Sequence, residues 1–400
     1  MSNNKTVPIR DGLDTAFADE GVASNFAPGS SPLKIVGRRT NGKIVLVGSI
    51  SSKFQKKFLL AQLLENGELD PDFGTGGIHK GSFQEEIGAN ATGAHLLQDG
   101  KILLIGNHLG QPTQRAFARF DMNGALDPAF GDNGVVIPTS APLDETSEFQ
   151  NPSDITLNSN APRSNTAIGP NGEILAASPT SIQVYKSNGQ FERTIAMAPP
   201  AKLNVTLGTS VNAITVAGNH SGYGDIARFS LDGNPDSSFG ENGRVRFSVN
   251  DGPAAVIGLL LRDDNSMFVV GNIYKGEAGN LGMLAAFNSN GQPNLVFNGG
   301  KPVVSEHPSG QTFQWRGIAM DAANGLIVTG SIGPKDNERT LMARYKMTGE
   351  IDTSFGQSGF LETRIGEGNE KAHSLLVQPD RKPVVSLDRE SLPAIVRYLP

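Results

Sequence analysis

The sequence predicts an all-β fold, a seven-bladed β-propeller of four-stranded blades. Three observations predict it: a glycine-rich phrase that recurs along the chain, a short apolar strand that recurs with it, and a composition rich in turn residues and poor in charge. The phrase reads Gly124-Ala-Leu-Asp127-Pro-Ala-Phe130-Gly131-Asp-Asn-Gly134. It returns at 67–77, 233–243 and 349–359, in altered form at 291–300, and near the N-terminus at 12–21. Its phenylalanines, Phe17, Phe73, Phe130, Phe239, Phe297 and Phe355, are spaced by 56, 57, 109, 58 and 58 residues. The step of 109 is two repeats, with a worn copy between them at Lys186-Ser-Asn188-Gly189-Gln-Phe191. Repetition at a fixed period defines architecture before any other feature does.

Within one repeat the strands follow from alternation and turn residues. Residues 94–98 make a short first strand, Asp99-Gly100 a tight turn, and 101–106 a near-continuous apolar second strand, expected to be buried on both faces. Residues 115–120 make the third strand and Asn123-Gly124 a second tight turn; the phrase then leads into a fourth strand at 134–137. The second strand occurs seven times, at 43–48, 101–106, 173–178, 213–218, 267–271, 326–330 and 382–386. Four short strands repeated seven times suit a ring, in which each blade covers both faces on its neighbours and no end blade is exposed. The last third strand, 394–398, is not followed by the phrase, whereas the copy at 12–21 is not preceded by a third strand. The seventh blade is therefore expected to be composite, with an N-terminal outer strand and three C-terminal inner strands. Residues 1–8 read as an arm and 9–400 as one propeller domain.

The Asn-Gly and Asp-Gly turns between strands one and two and between strands three and four predict type I′ hairpins, all on one face of the disc. The opposite face receives the links between strands two and three and between blades. Those links read as long and dissimilar: 107–114, 219–225, 272–282, 331–340 and the polar stretch 138–163. Binding concentrates on variable loops held by a regular scaffold, so this loop face is the candidate functional face.

Glycine makes up 48 of 400 residues, about 12% against an average of about 7%, and 18% of residues are charged against about 25%. Many turns and few charged helix faces agree with the all-β reading. A net charge of -6 implies no nucleic-acid partner. No stretch approaches the roughly 18 apolar residues of a membrane span, so the chain reads as soluble. With no cysteine there is no disulfide, thiolate metal site or cysteine nucleophile. The polar start Met1-Ser-Asn-Asn-Lys-Thr-Val-Pro8 has no apolar core of a secretory signal. The localisation stays open between the cytoplasm and export by another route, and the oligomeric state is not readable.

The phrase Leu-Asp-x-x-Phe-Gly-x-x-Gly, after an Ala-Arg-Phe strand and an Asn-Gly or Asp-Gly turn, resembles the delta-sixty repeat family of bacterial proteins. The match is strong at Leu126–Gly131, Asp236–Gly240 and Ile351–Gly356, altered at Asn294–Asn298 and lost around Phe191. The resemblance implies a propeller and no particular activity.

The repeated Asp14, Asp70, Asp127, Asp236 and Asp352 read as caps of a single turn, with the Phe as a plug between blades. Arg119, Arg228, Arg344 and Arg397 on the third strands are expected to pair with a neighbouring blade's carboxylate or a loop carbonyl. His108 and His220 each follow Gly-Asn, as Gly106-Asn107-His108 and Gly218-Asn219-His220, two blades apart on the loop face. Two histidines can bind a metal or exchange protons, or can be ordinary residues of a repeated turn. Trp315, the only tryptophan, stands beside Arg316 where a blade link enters an innermost strand, with Tyr223 and Tyr274 in other loops of that face. Trp next to Arg suits stacking on a ring and anchoring an anion, or the Trp plugs the ring. His95 on an innermost strand lines or fills the channel. No nucleophile elbow, phosphate loop or calcium loop is present, and no catalytic residue, metal ligand set or cofactor is assigned.

The expected function is a non-enzymatic binding scaffold that recognises a protein or glycan partner through Trp315, Arg316, Tyr223, Tyr274, Asn107, His108, Asn219 and His220. The alternative is a lyase or hydrolase at the channel mouth, with His108 or His220 as acid–base residues, with or without a metal.

Overall fold

The computed structural model describes residues 9–400 except 25, 52–54, 139–164, 179, 198–205, 211, 250–251, 277–278, 322, 324 and 391. The 1–8 arm, nearly all of the 138–163 stretch and Asn324 lie outside the described residues. Seven four-stranded antiparallel sheets form the blades of a β-propeller. Blades one to six span 34–81, 89–136, 166–196, 206–247, 254–305 and 313–363. The seventh joins Val22–Ala23 to Leu392–Arg397, Pro383–Arg389 and Glu370–Val377, in that order from outside to inside. The composite blade is therefore real: Val22 lies opposite Val396 and Ala23 opposite Ile395.

The second strands, such as Ile102–His108 and Met267–Tyr274, are buried along almost their whole length because a blade on either side covers them. The core is a series of clusters between neighbouring blades; Phe268 and Val270 of blade five, for instance, pack with Trp315 and Val328 of blade six. The first strand differs from the sequence reading: in blade two it runs from Ala89 to Leu96, not 94–98. A β-bulge at Thr92, between the pairs Ala91–Gly106 and Gly93–Ile105, breaks the period-two alternation there. The same bulge falls on Ile257, Arg316 and His373 of blades five, six and seven.

The described Asn-Gly and Asp-Gly turns at the ends of strands one and three are not type I′. At Asn66-Gly67 only Gly67 has positive φ, at 88°. Its N–H donates to the Leu64 carbonyl at 2.9 Å, and Leu64 N–H donates to Glu68 O at 2.8 Å. This is a type I turn followed by a glycine bulge. Asn66 stays at negative φ because its Oδ1 accepts the Glu68 N–H at 3.1 Å. A turn with two positive φ values does occur, at Ser221-Gly222 on the loop face. It makes the second-to-third strand link of blade four a tight hairpin between His220 and Tyr223, where the sequence predicted a long loop.

Each signature is a fastener to the next blade. Asp127 Oδ1 accepts the Ala129 N–H at 3.1 Å, and the other four aspartates accept the equivalent amide. Phe73 packs beneath Gly124 of the next blade's turn, closely enough that a Cβ there would overlap its ring. The Gly74 N–H donates to Asn123 O at 2.7 Å, and Gly240 to Asn290 O at 2.9 Å. The third-strand arginines pair with the aspartate of their own signature, not with a neighbouring blade's carboxylate: Arg119–Asp127 and Arg228–Asp236 at 2.7 Å, Arg344–Asp352 and Arg397–Asp14 at 2.8 Å. The guanidinium then lies over the signature Phe, 4.4–5.0 Å from the ring centroid. The expected carbonyl partner exists: Arg397 Nη1 donates to Glu65 O of blade one at 2.7 Å, and Arg228 Nη1 to Ser289 O of blade five. The worn blade three has no such turn, and its fourth strand, Phe191–Ala196, starts directly after Asn188-Gly189; there Ile195 packs under Gly233 in place of the phenylalanine.

These groups set an acid response. Burial holds His79, His95 and His307 below their ordinary value of 6.5, His95 down to about 4. The unfolded chain takes up these protons first, so stability is expected to fall as pH drops from 6.5 toward 4. Against the opposing push of burial, the five signature aspartates are held below their ordinary 3.8 by hydrogen bonds from Lys, Ser, Gln, Arg and backbone donors and by the nearby cations. Their contribution is complete above that value and disappears below it. Melting temperature recorded against pH is expected to show both windows, with His95→Gln shrinking only the first; an unchanged first window removes His95 from the account.

Candidate functional site

The eight residues singled out in the sequence do not converge. Asn107 and His108 belong to blade two, Asn219, His220 and Tyr223 to blade four, Tyr274 to blade five, and Trp315 and Arg316 to blade six. Trp315 is fully buried, edge-on to Phe313 at 4.7 Å between centroids, with its indole against Gly282 of blade five. Its ring fills the gap between blades and offers no face to a ligand, which corrects the stacking role expected of it.

Two of the asparagines after the strand-two glycine, Asn219 and Asn272, are blade struts. Asn272 Oδ1 accepts the Trp315 N–H at 2.7 Å and its Nδ2 donates to Trp315 O at 3.1 Å. Asn219 Oδ1 accepts the Val256 N–H at 2.5 Å, and Ser49 Oγ accepts that of Ala91 at 3.0 Å. Each bond reaches the residue just before the bulge in the next blade's innermost strand. Asn219 is thereby removed from the candidate binders. Asn107 holds the same position in blade two, and both it and the following His108 are buried. Tyr223 and Tyr274 are exposed on the loop face, at 48% and 38%. Among the described residues, no group of three His, Asp or Glu could hold a metal ion.

The strut pattern fails at the boundary of blades six and seven. Ser331 holds the strut position of blade six, and its Oγ has no partner. Asp388 holds that position in blade seven, facing blade one, and bonds to His373, the bulge residue of its own blade; there Ser374 Oγ accepts the Ile35 N–H of blade one at 2.8 Å instead. Where the strut is missing, a cavity of about 200 Å³ opens on the loop face. Arg316 lines it, together with Asn280 from blade five, Glu338 from the strand-two-to-three loop of blade six, and Lys371 from blade seven. Arg316 sits on the bulge, so its side chain leaves the alternation of its strand. It is only 4% exposed, yet its Nε and Nη1 have no acceptor, and Nη2 reaches Gln314 Oε1 at a long 3.5 Å.

Burial pushes the Glu338 carboxyl above its usual range, against the pull of Arg316 and Lys371; Lys371 Nζ is 3.9 Å away. The loop that carries Glu338 is fixed. Its Glu338 N–H donates to Asn369 Oδ1 at 2.7 Å, its carbonyl accepts the Glu370 N–H at 3.0 Å, and Arg364 Nη2 donates to Asn337 O at 3.1 Å. The cavity is thus preformed, polar and cationic, with donors that the protein itself does not satisfy. Of its lining, the sequence reading named only Arg316. Ser331, Glu338 and Lys371 of the lining were missed, and so were His373 and Asp388 beside it; Ser331 gave no signal, because Ser49 at the same position of blade one does make a strut.

Fold and site define a β-propeller with one regular face and one loop face that carries a polar cavity. A family model described as "Domain of unknown function (DUF5122) beta-propeller" matches residues 39–73 and 97–130, the corresponding parts of blades one and two. No curated protein matches the chain. Among solved structures, the Pan2 WD40 domain of Neurospora crassa is similar with a TM-score of 0.55 and 11% identity, over 95% of this chain and 94% of that one. A chain of the Mitotic Checkpoint Complex is similar with a TM-score of 0.50 and 9% identity, over 100% and 96%. The propeller domain of the Trilobed protease from Pyrococcus furiosus has a TM-score of 0.46 and 8% identity, over 92% and 95%. At these identities the likeness concerns the fold alone.

Proposed function

We propose that this protein is a non-enzymatic binding scaffold whose loop face recognises a protein or glycan partner. The observation that carries this reading is the preformed cavity around Arg316, a buried cation whose Nε and Nη1 have no acceptor within the protein. The turn face carries the signature fasteners, whose Asp, Arg and Phe side chains hold the ring. Tyr274 and Tyr223 add exposed aromatic surface on the loop face, of the kind enriched in recognition surfaces.

The reading is tested with the full chain on a glycan array and in a pull-down, beside a loop-face variant, Tyr274→Ala, and a turn-face variant, Asn290→Ala. Binding by the wild type that Tyr274→Ala weakens and Asn290→Ala leaves intact supports it. A blank result in both assays, or weakening by the turn-face variant alone, overturns it.

A further inference from the structure

Resting on that reading, we propose that the cavity on blade six binds the carboxylate of an acidic sugar, a hexuronate unit of a glycan, with Arg316 as its anchor. A guanidinium buried with open donors is costly unless an acceptor arrives, and a carboxylate is the acceptor that a guanidinium fits best. The surrounding charge agrees. Among the described residues, Arg316, Lys335 and Lys371 line the cavity against one lining carboxylate, Glu338, and nearby Asp388 is already engaged by His373.

Two further lining groups favour a sugar over a simple anion. Ser331 Oγ and Asn280 Oδ1 are both buried without a partner. Asn280 Oδ1 accepts and so calls for a donor, which phosphate dianion or acetate lacks and a sugar hydroxyl supplies. The volume of about 200 Å³, open at the loop face, suits one ring of a longer chain. Tyr274, directly opposite Asn280 in the hairpin and exposed, offers an aromatic face for that ring. A peptide C-terminus is less well served, because among the described lining residues only Phe313 and Pro334 are apolar side chains.

The test is calorimetric titration of the full chain with oligogalacturonate, with the neutral galactose oligomer, and with a tetrapeptide bearing a free C-terminus. Oligogalacturonate is expected to bind, with the neutral oligomer about 10- to 100-fold weaker. Arg316→Met is expected to lose binding by a similar factor while its melting profile shows a folded ring, and Arg316→Lys to recover part of it. Equal binding of the neutral oligomer, preference for the peptide, or wild-type affinity in Arg316→Met each overturns the inference. If a loop-face partner is found whose binding ignores Arg316→Met, the uronate site falls and the scaffold reading stands. If array, pull-down and titration are all blank, the scaffold reading falls with it.

Discussion

Replacing Asp14 with alanine is expected to lower the melting temperature by about 4–6 °C, more than the same change at any other signature aspartate. Asp14 joins the two ends of the chain. Its Oδ2 accepts from Arg397 Nε at 2.8 Å and from Lys382 Nζ at 3.0 Å, across 383 and 368 residues of sequence. Both members of the Arg397–Asp14 pair are nearly sequestered, at 7% and 6% side-chain exposure. Removing one partner of such a pair strands the other charge, at a cost of about 3–5 kcal/mol. An unfolding entropy of roughly 2.1 cal/mol/K per residue over 400 residues converts that cost into the stated shift. Asp352 makes the same contact with Arg344, but at 25% and 12% exposure, so water compensates and the loss is expected to be about 1 kcal/mol.

The rest of the clasp reinforces Asp14. The Leu399 N–H donates to Gly12 O at 2.8 Å, Phe17 is fully buried against the turn of blade one, and Ile9 pairs with Arg364 of blade six. Deleting residues 1–25 takes away the outer strand of the seventh blade and is expected to destabilise the whole ring, not merely trim a tail. Trp315, buried in the sixth blade, reports this away from the lesion through its emission. Equal melting temperatures for Asp14→Ala and Asp352→Ala, or an unchanged one for the truncated chain, would show that the clasp carries no special weight.

Arg316→Met is expected to make the protein more stable, by about 1–3 kcal/mol, because it exchanges a buried guanidinium with unmet donors for an apolar chain of similar length. Most substitutions of residues buried this deeply do the opposite, so the sign is diagnostic. Glu338 keeps Lys371 as a cation at 3.9 Å and, with its carboxyl already raised by burial, can take a proton when the arginine is gone. Arg316 is thereby set apart from the fastener arginines, each of which is paired with the aspartate of its own signature. Denaturant unfolding of both forms decides the matter: a loss of stability in Arg316→Met would make Arg316 a structural strut and remove the reason to place a ligand there.

Much of the architecture was legible because it rests on short-range chemistry. The signature is built within eleven residues: Asp127 caps the Ala129 amide, Phe130 follows, and Gly131 takes φ of 56°. A local rule repeated at a fixed step appears in sequence as a period. The composite blade was legible from the same count, since the copy at 12–21 had no strand before it. The turn type was not, because Asn-Gly is compatible with two hairpins and the choice depends on which residue takes positive φ. The bulges were hidden because an extra residue disrupts the alternation by which strands are recognised.

The site was legible only in outline. Sequence placed it on the loop face and included Arg316, but it weighed Trp315 by rarity, and rarity does not report burial. Gly218-Asn219-His220 looked like loop chemistry because the partner of Asn219, the Val256 amide of the next blade, is 37 residues away. By itself the sequence determined the number of blades, the fastener and the clasp, because those depend on residues close together in the chain or on their period. Only the tertiary structure decided which boundary between blades lacks its strut, and that arginine, lysine and glutamate from two blades meet there. Such a cavity depends on side chains brought together from distant strands, and no local spacing records it.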